Sequence, residues 1–184
     1  PAVTTREHRV EGIDDTIRIE RDRHGIPRVS ASSVADLFVG QGYATATDRL
    51  GQMEWDRRRG LGRTAELHGT AANVVTDSLH RRLRLADHAR AGYERLDEET
   101  RAVLDSFVAG VNAAAAEMDT PRSLAAVGAT PEPWEPWVPV LVFLVRHVNF
   151  ATWQTKLWNT RVVSALGADA VGAFGREGRH GDTP

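Results

Sequence analysis

The chain has 184 residues, of which 41% are hydrophobic, and its formal net charge at pH 7 is -2. This hydrophobic content is sufficient for a folded core and argues against a disordered chain. Because acidic and basic side chains nearly balance, the chain lacks the overall positive field that favours a nucleic-acid partner. There is no cysteine, which excludes disulfides, thiolate metal ligands and a cysteine nucleophile from this chain.

No segment of the sequence has the character of a membrane span. The longest apolar run covers residues 138–145 and includes Pro139, whereas a bilayer requires roughly 20 apolar residues. The first residues of the sequence do not show the pattern of a secretory signal peptide, in which a charged region is followed by an apolar one. We therefore expect a soluble protein without a membrane partner, whose export signal has been removed. The polar, glycine-rich residues 176–184 are interpreted as a flexible processed tail.

The first predicted elements are a hairpin and a long helix. Residues 16–20 alternate apolar and polar side chains, residues 22–27 supply turn chemistry, and Val29 resumes the apolar pattern. Ser33, followed three residues later by Asp36, is typical of a helix start. The helical pattern that follows extends towards residue 69, and its glycines predict a break near residue 60.

The remainder of the sequence predicts three more helices. Helical spacing covers residues 79–93, and Asp97 is the predicted N-cap of a second amphipathic helix that extends to Met118. Residues 121–139 form a predicted loop with several prolines, and residues 140–165 a single helix that ends at Gly167. The predicted class is α+β, a mostly helical chain with a short N-terminal hairpin.

We predict one domain over residues 1–184. Its parts are a hairpin region (1–32), a helical part (33–175) and the tail (176–184). No internal repeat and no long linker divides the chain.

Two motifs suggest ligand sites but have a structural interpretation as well. Gly60 and Gly62 fit a loose dinucleotide-binding pattern, yet no strand precedes them, so a helix break or tight packing is favoured. His80 and His88, which lie near Asp77, lack tight metal-ligand spacing, and exposed polar helix positions explain them. We therefore predict no metal site.

The arginines at positions 57–59 and 63 could form a phosphate-binding patch. Acidic residues lie close enough to these arginines along the predicted helix to form ion pairs with them, and an ion-paired face is therefore favoured. These acidic residues are Glu54, Asp56 and Glu66. The sequence contains no Gly-x-Ser-x-Gly motif or other self-sufficient catalytic constellation, so we predict no catalytic residue in this chain.

Several linked motifs resemble those of the penicillin acylase family. Residues 18–31 resemble the family's opening strand, and residues 36–53 resemble its glycine-tyrosine, Asp-Arg-Leu and Gln-Met motifs in the expected order. Residues 109–113 resemble a short Gly-Val-Asn element, and residues 131–136 resemble a Pro-x-x-Trp loop. The resemblance covers most of residues 18–166.

The motifs at residues 48–53 make the chain more similar to the penicillin G type than to the lipopeptide and acyl-homoserine-lactone type. Within them, we expect Asp48 and Arg49 to anchor a buried polar network. The sequence departs from the family pattern at Arg28, where histidine is usual, and at residues 137–138, where an acidic residue is common.

The resemblance implies an N-terminal nucleophile hydrolase, periplasmic or secreted, that is made as a precursor and cuts itself into α and β chains. This chain would be the α subunit, which completes an αββα sandwich with the β subunit as its partner. The β chain would begin with the catalytic serine, activated by its own α-amino group. The implied reaction is amide hydrolysis of an N-acylated small molecule such as a β-lactam, with a role in antibiotic resistance or biosynthesis.

Two alternatives to this function remain open. One is a subunit of a lipopeptide or acyl-homoserine-lactone acylase. The other is a helical interaction module without chemistry.

The predicted substrate-binding residues lie in a tryptophan-rich part of the chain, at residues 131–159, where we expect a large apolar site or interface. The resemblance places Phe150 at the family's pocket phenylalanine and Asn149 at the neighbouring arginine. Arg146, Asn149, Phe150 and Trp153 have the spacing of one helix face. Phe150 and Trp153 would bind the acyl group by apolar contact, and core packing is the alternative.

The same alignment places Lys156 where penicillin G type members carry a calcium-binding glutamate. An ammonium group cannot ligate calcium, which requires oxygen donors. We therefore expect no required cofactor, and we expect the family's calcium site to be absent or rebuilt from the β chain.

Overall fold

The computed structural model describes residues 16–150 and 152–175. The predicted tail at 176–184 and the first 15 residues of the hairpin region lie outside this part. The chain divides into two compact units, Pro1–Val145 and Arg146–Pro184, and the single-domain interpretation stays a prediction. None of the described helices is both long enough and apolar enough to cross a membrane.

The N-terminal hairpin is present as predicted. Strands β1 (Arg18–Arg21) and β2 (Pro27–Ser30) pair antiparallel. Their turn is held by Asp22, whose Oδ1 accepts hydrogen bonds from two backbone N–H groups, and Gly25 supplies the positive φ of 79°. The hairpin packs on the first helix at Gly40, where an added Cβ would lie 2.5 Å from Cγ1 of Val29.

Helix α1 (Val34–Leu61) begins and ends at the signals that the sequence contains. The Ser33 side chain accepts a hydrogen bond from the backbone N–H of Asp36. Gly62 ends the helix in the left-handed conformation with φ 64°, and a 3₁₀ turn follows at Thr64–Glu66. The predicted break near residue 60 is therefore confirmed.

Helices α1 and α4 (Glu98–Glu117) pack closely and form the core of the first unit. Their glycines allow the contact, because a Cβ at Gly42 would lie 2.0 Å from the carbonyl oxygen of Phe107. A Cβ at Gly110 would likewise lie 1.9 Å from the carbonyl oxygen of Val39. The predicted N-cap is confirmed, since the Asp97 side chain accepts a hydrogen bond from the N–H of Thr100.

The region between α1 and α4 contains two helices where one was predicted. They are α2 (Ala71–Arg82) and α3 (Leu85–Glu94). The break falls at Arg84, which adopts a positive φ of 52°, a conformation that the sequence does not signal because it is typical of glycine. The predicted loop at residues 121–139 also contains a short helix, α5 (Arg122–Ala125).

The prediction of one helix over residues 140–165 is wrong. Two helices cover this region, α6 (Val138–Phe150) and α7 (Trp153–Leu166). The Trp153 indole N–H donates to the carbonyl oxygen of Val148 at 3.0 Å, and this contact across the break occupies a carbonyl at the end of α6. Gly167 ends α7 as predicted, with φ 88°. A 3₁₀ turn at Ala168–Ala170 and helix α8 (Val171–Phe174) follow.

Candidate functional site

The structure distributes the predicted binding residues over two helices. Arg146, Asn149 and Phe150 lie in the last part of α6, and Trp153 is the first residue of α7. The helix-face argument is therefore wrong for Trp153, because no continuous helix joins it to the other residues. The spacing remains valid within α6, and a role of these residues in binding stays a prediction.

These predicted binding residues differ in how far their side chains are exposed. Phe150 is 70% exposed, and Arg146 is exposed as well. Trp153 is half-buried, and its indole N–H is occupied by Val148. The side chain of Asn149 lies outside the described part of the structure. The exposure of Phe150 argues against core packing within the described chain and leaves its ring accessible to a ligand or to another chain.

The unit that begins at Arg146 exposes many large apolar side chains. Phe150, Leu157, Trp158, Val163, Leu166 and Phe174 are each at least 40% exposed. Within this unit the Trp158 indole N–H donates to the carbonyl oxygen of Phe174 at 2.8 Å, which fixes α8 against α7. An apolar surface of this kind on a small helical unit is typical of a protein interface or a ligand-binding surface.

Two surface cavities of about 230 and 350 Å³ lie between α1 and residues 118–127. Both cavities lie within the first compact unit, whereas the predicted binding residues belong to the unit that begins at Arg146.

The predicted ion-paired face is a buried charge network in the structure. Glu54 is 0% exposed, and its carboxylate accepts two hydrogen bonds from Arg57, at 2.9 and 2.7 Å. Arg58 Nε donates to the same carboxylate at 2.8 Å. These contacts satisfy the buried acid and direct the remaining guanidinium N–H groups away from it. The phosphate-patch alternative is disfavoured because these arginines already have carboxylate partners.

Glu132 connects this network to the loop before α6. Its Oε1 accepts hydrogen bonds from Arg63 at 2.9 Å and from Arg58 at 3.1 Å, and Arg57 Nη2 lies 2.8 Å from Oε2. The hydrogen bonds from Arg63, supported by Arg57 and opposed by partial burial, lower the pKa of Glu132 to about 2. Sequence analysis missed this residue, because its partners lie 69 or more positions away and no local pattern connects them.

Glu66 completes the network at its exposed edge. Arg63 Nε and Arg58 Nη1 each donate to it at 2.7 Å. The hydrogen bond from Arg63 lowers the pKa of Glu66, and the same contacts raise the pKa of Arg63. The network therefore favours the ionised forms of Glu66 and Glu132.

The expected buried network around Asp48 and Arg49 is wrong. The Asp48 side chain is 38% exposed and pairs with Arg21 at 2.9 Å, and Arg49 donates to Gln52 on the surface of α1. These positions fall on the outer face of the helix, whereas Glu54 lies on its inner face. The buried charged residues, Glu54, Arg57 and Arg58, therefore lie five to ten residues further along α1.

His80 and Asp77 are buried, which corrects the expectation of exposed positions. His80 Nδ1 lies 2.6 Å from the carbonyl oxygen of Arg59. Asp77 accepts hydrogen bonds from the backbone N–H groups of Thr64 and Ala65. Burial opposes ionisation of Asp77, but these hydrogen bonds outweigh it and lower its pKa. Both side chains thus fix the junction that follows α1.

The possible metal ligands are dispersed. Lys156 lies exposed on α7. Within residues 16–150 and 152–175, no group of three or more His, Asp or Glu side chains is arranged to hold a metal ion. The expectation that no calcium is required stays a prediction.

Comparison with known proteins establishes the class of this chain. Residues 16–178 match the family model described as Penicillin amidase. The chain therefore belongs to the penicillin amidase family, as the sequence motifs predicted.

The chain is similar to the Penicillin acylase 2 proenzyme of Pseudomonas sp. (strain SE83), with 38% identity over 86% of this chain and 20% of that protein. It is 33% identical to the Penicillin G acylase of Escherichia coli, over 82% of this chain and 18% of that protein. It is 32% identical to an acyl-homoserine lactone acylase, QuiP, of Pseudomonas fluorescens, over 73% and 17%. The chain thus spans about a fifth of the length of these relatives.

A solved structure shows the fold. The thermostable penicillin G acylase from Alcaligenes faecalis matches with a TM-score of 0.69 and 21% identity, over 92% of this chain and 96% of that chain. The mostly helical fold with a short N-terminal hairpin is therefore confirmed.

Proposed function

We propose that this chain is the α subunit of a two-chain amidohydrolase, and that it contributes part of the pocket for the acyl group. The observation that carries the proposal is the exposed apolar surface of α6 to α8, on a chain that belongs to the penicillin amidase family. A relative described as a proenzyme is about five times as long as the matched region, which supports a larger partner chain from the same precursor. We expect this protein to act in the periplasm or outside the cell.

The proposed reaction is hydrolysis of the amide bond of an N-acylated small molecule such as a β-lactam. In the mechanism that the family resemblance implies, the first serine of the β chain attacks the amide carbonyl. The α-amino group of that serine accepts the hydroxyl proton and delivers it to the departing amine. Water then hydrolyses the acyl-enzyme and releases the acid. No catalytic step is assigned to this chain.

The contribution of this chain would be apolar contact with the acyl group. Phe150 offers an exposed ring at the end of α6. Trp153 is held by its hydrogen bond to Val148, so its ring has a defined orientation next to the break between the helices. Arg146 and Asn149 would line the same region with polar groups. Such a mixture of aromatic and polar side chains is typical of small-molecule pockets.

Hydrolysis of acyl-homoserine lactones is a second candidate. The similarity to acyl-homoserine lactone acylases, at 32% identity over 73% of this chain, favours it specifically. The two activities differ in the acyl chain and in the amine that leaves. A pocket closed by Phe150 favours short or aromatic acyl groups, whereas a long alkyl chain requires a deeper pocket.

The test is purification of the native protein, followed by intact mass, N-terminal sequencing and an activity assay. We expect a small chain that contains this sequence, together with a larger chain that begins with serine. The assay compares kcat/KM for phenylacetyl, hexanoyl and dodecanoyl amides and for an acyl-homoserine lactone. Preference for phenylacetyl or hexanoyl amides supports the penicillin acylase type. A solitary chain without amidase activity would favour a helical interaction module instead.

A further inference from the structure

The loop at residues 130–134 is bound to α1 through its side chain and its backbone. The Glu132 carboxylate contacts three guanidinium groups, those of Arg57, Arg58 and Arg63. Arg58 Nη2 also approaches the carbonyl oxygen of Thr130 at 3.4 Å. Arg57 and Arg58 are about 5% exposed, and their hydrogen bonds to the Glu54 carboxylate hold both guanidinium groups in place. The loop therefore binds to donors that are already positioned.

The same loop is bound to α4 by a single side chain. Asn112 Nδ2 donates to the carbonyl oxygen of Trp134 at 2.9 Å, and Asn112 Oδ1 accepts from the N–H of Trp134 at 2.8 Å. One amide thus satisfies both backbone groups of a residue outside regular secondary structure. Two different helices therefore hold positions 132 and 134 of the loop.

The start of α6 follows directly from this loop. Trp137 and Val138 are buried, and the Arg90 guanidinium lies 4.1 Å from the centroid of the Trp137 ring. Leu141 is 0% exposed and packs against Gly60, where an added Cβ would lie 2.5 Å from Leu141 Cγ. The absence of a side chain at Gly60 thus makes room for Leu141, and this close packing holds the first turn of α6 against α1.

We propose that Glu132 and Asn112 are positioning residues, which hold the loop at residues 130–134 between α1 and α4 and so fix where α6 begins. This inference rests on the proposed function, since α6 carries Phe150 as its last residue and would present it to the acyl group. Three prolines in residues 131–136 limit the conformations of the loop, and these polar contacts tie it to both helices. Neither residue is proposed to touch the acyl group.

The test uses the assembled protein and the variants Glu132→Gln and Asn112→Ala. The matched control is Glu66→Gln, which removes the same charge from the same network without touching the loop. We expect both test variants to raise hydrogen exchange in peptides covering residues 130–141 by about tenfold, while the control leaves these peptides unchanged. For the phenylacetyl amide we expect KM to rise about fivefold with kcat within about twofold.

The outcomes separate the inference from the proposed function. If the wild-type protein hydrolyses none of the amides, the proposed function fails, and the exchange data still decide whether the two residues position the loop. If the wild-type protein is active but both test variants match the control in exchange and in KM, the positioning role is overturned. A uniform rise of hydrogen exchange in all peptides of both variants would also overturn it, because that result indicates a general loss of stability. Agreement of the two test variants, which remove contacts of the loop to two different helices, supports it.

Discussion

Phe150 is the residue on which the proposed acyl pocket depends most directly. Its ring is 70% exposed, and it has no ionisable group with which to transfer a proton. Replacement by alanine in the assembled enzyme should therefore change substrate preference without abolishing bond cleavage. We expect aromatic acyl groups to lose about 1 to 3 kcal/mol of transition-state binding, and longer chains to lose less or to gain. The measurement is kcat/KM for phenylacetyl, hexanoyl and dodecanoyl amides.

The control is Val75→Ala, which removes an exposed apolar side chain from α2. Val75 is 71% exposed and is not part of the proposed pocket, so its loss should leave the preference among the three amides unchanged. Equal losses of kcat/KM for all three substrates in Phe150→Ala, together with lower thermal stability, would show that Phe150 packs in a core of the assembled protein.

A second residue-scale prediction concerns the acid stability that Glu132 provides. Its pKa is about 2 in the folded protein, against an ordinary value of 4.5. Because the folded-state pKa is the lower one, the stabilisation is fully present above about pH 4.5 and is lost as the pH falls towards 2. The melting temperature of wild type should exceed that of Glu132→Gln at pH 6, and the difference should shrink at pH 3. A difference that stays constant over this range would contradict the ion-pair account.

At the scale of elements, the pairing of α1 and α4 depends on two glycines. An alanine at position 110 would place its Cβ 1.9 Å from the carbonyl oxygen of Val39, and backbone on both helices must shift to relieve this contact. We expect Gly110→Ala to lower the free energy of unfolding by about 1 to 3 kcal/mol or more, as measured by denaturant unfolding of the assembled protein.

Gly92→Ala is the control for this contact. Position 92 is also helical, but the nearest atom to its added Cβ is Cγ1 of Val140 at 3.6 Å, an ordinary van der Waals distance. The substitution should be neutral or stabilising by about 0.5 to 1 kcal/mol. Equal losses in both variants would show that helix contact is not the cause.

The elements that sequence analysis predicted are those with local signals. Ser33 and Asp97 cap helices through their own side chains, and Gly62 and Gly167 end helices in conformations with positive φ. The break before α7, described at Thr152, has no such signal, because the sequence has neither glycine nor proline there. The contact found across the break joins the Trp153 indole to the carbonyl oxygen of Val148, and a pattern of apolar spacing does not contain such a contact.

The candidate site was predictable to a smaller extent. The resemblance to the family predicted that Phe150, at the end of α6, lines the acyl pocket, and this role stays a prediction. The arginines of α1 were expected to be ion-paired, and Glu54 and Glu66 confirm this. Glu132 was not predicted, because its partners lie 69 or more residues away along the chain. Contacts of this range follow from the fold and not from local composition.

At the scale of the whole molecule, the exposed apolar side chains predict that the chain depends on a partner. Large hydrophobic residues remain exposed along the unit that begins at Arg146, and such a surface is unfavourable in water. Expression of residues 1–184 alone should give aggregated or molten material, detected by light scattering and by the absence of a cooperative thermal transition. A cooperatively melting monomer would contradict this prediction.

The central claim is that this chain supplies binding surface to an amidase whose nucleophile lies on a partner chain. The most direct measurement is hydrolysis of a phenylacetyl amide by the co-expressed two-chain protein and by each chain expressed separately. We predict turnover by the assembled protein and none by residues 1–184 alone. Hydrolysis by the isolated chain, or an assembled protein that hydrolyses no N-acyl amide in the series, would contradict the account.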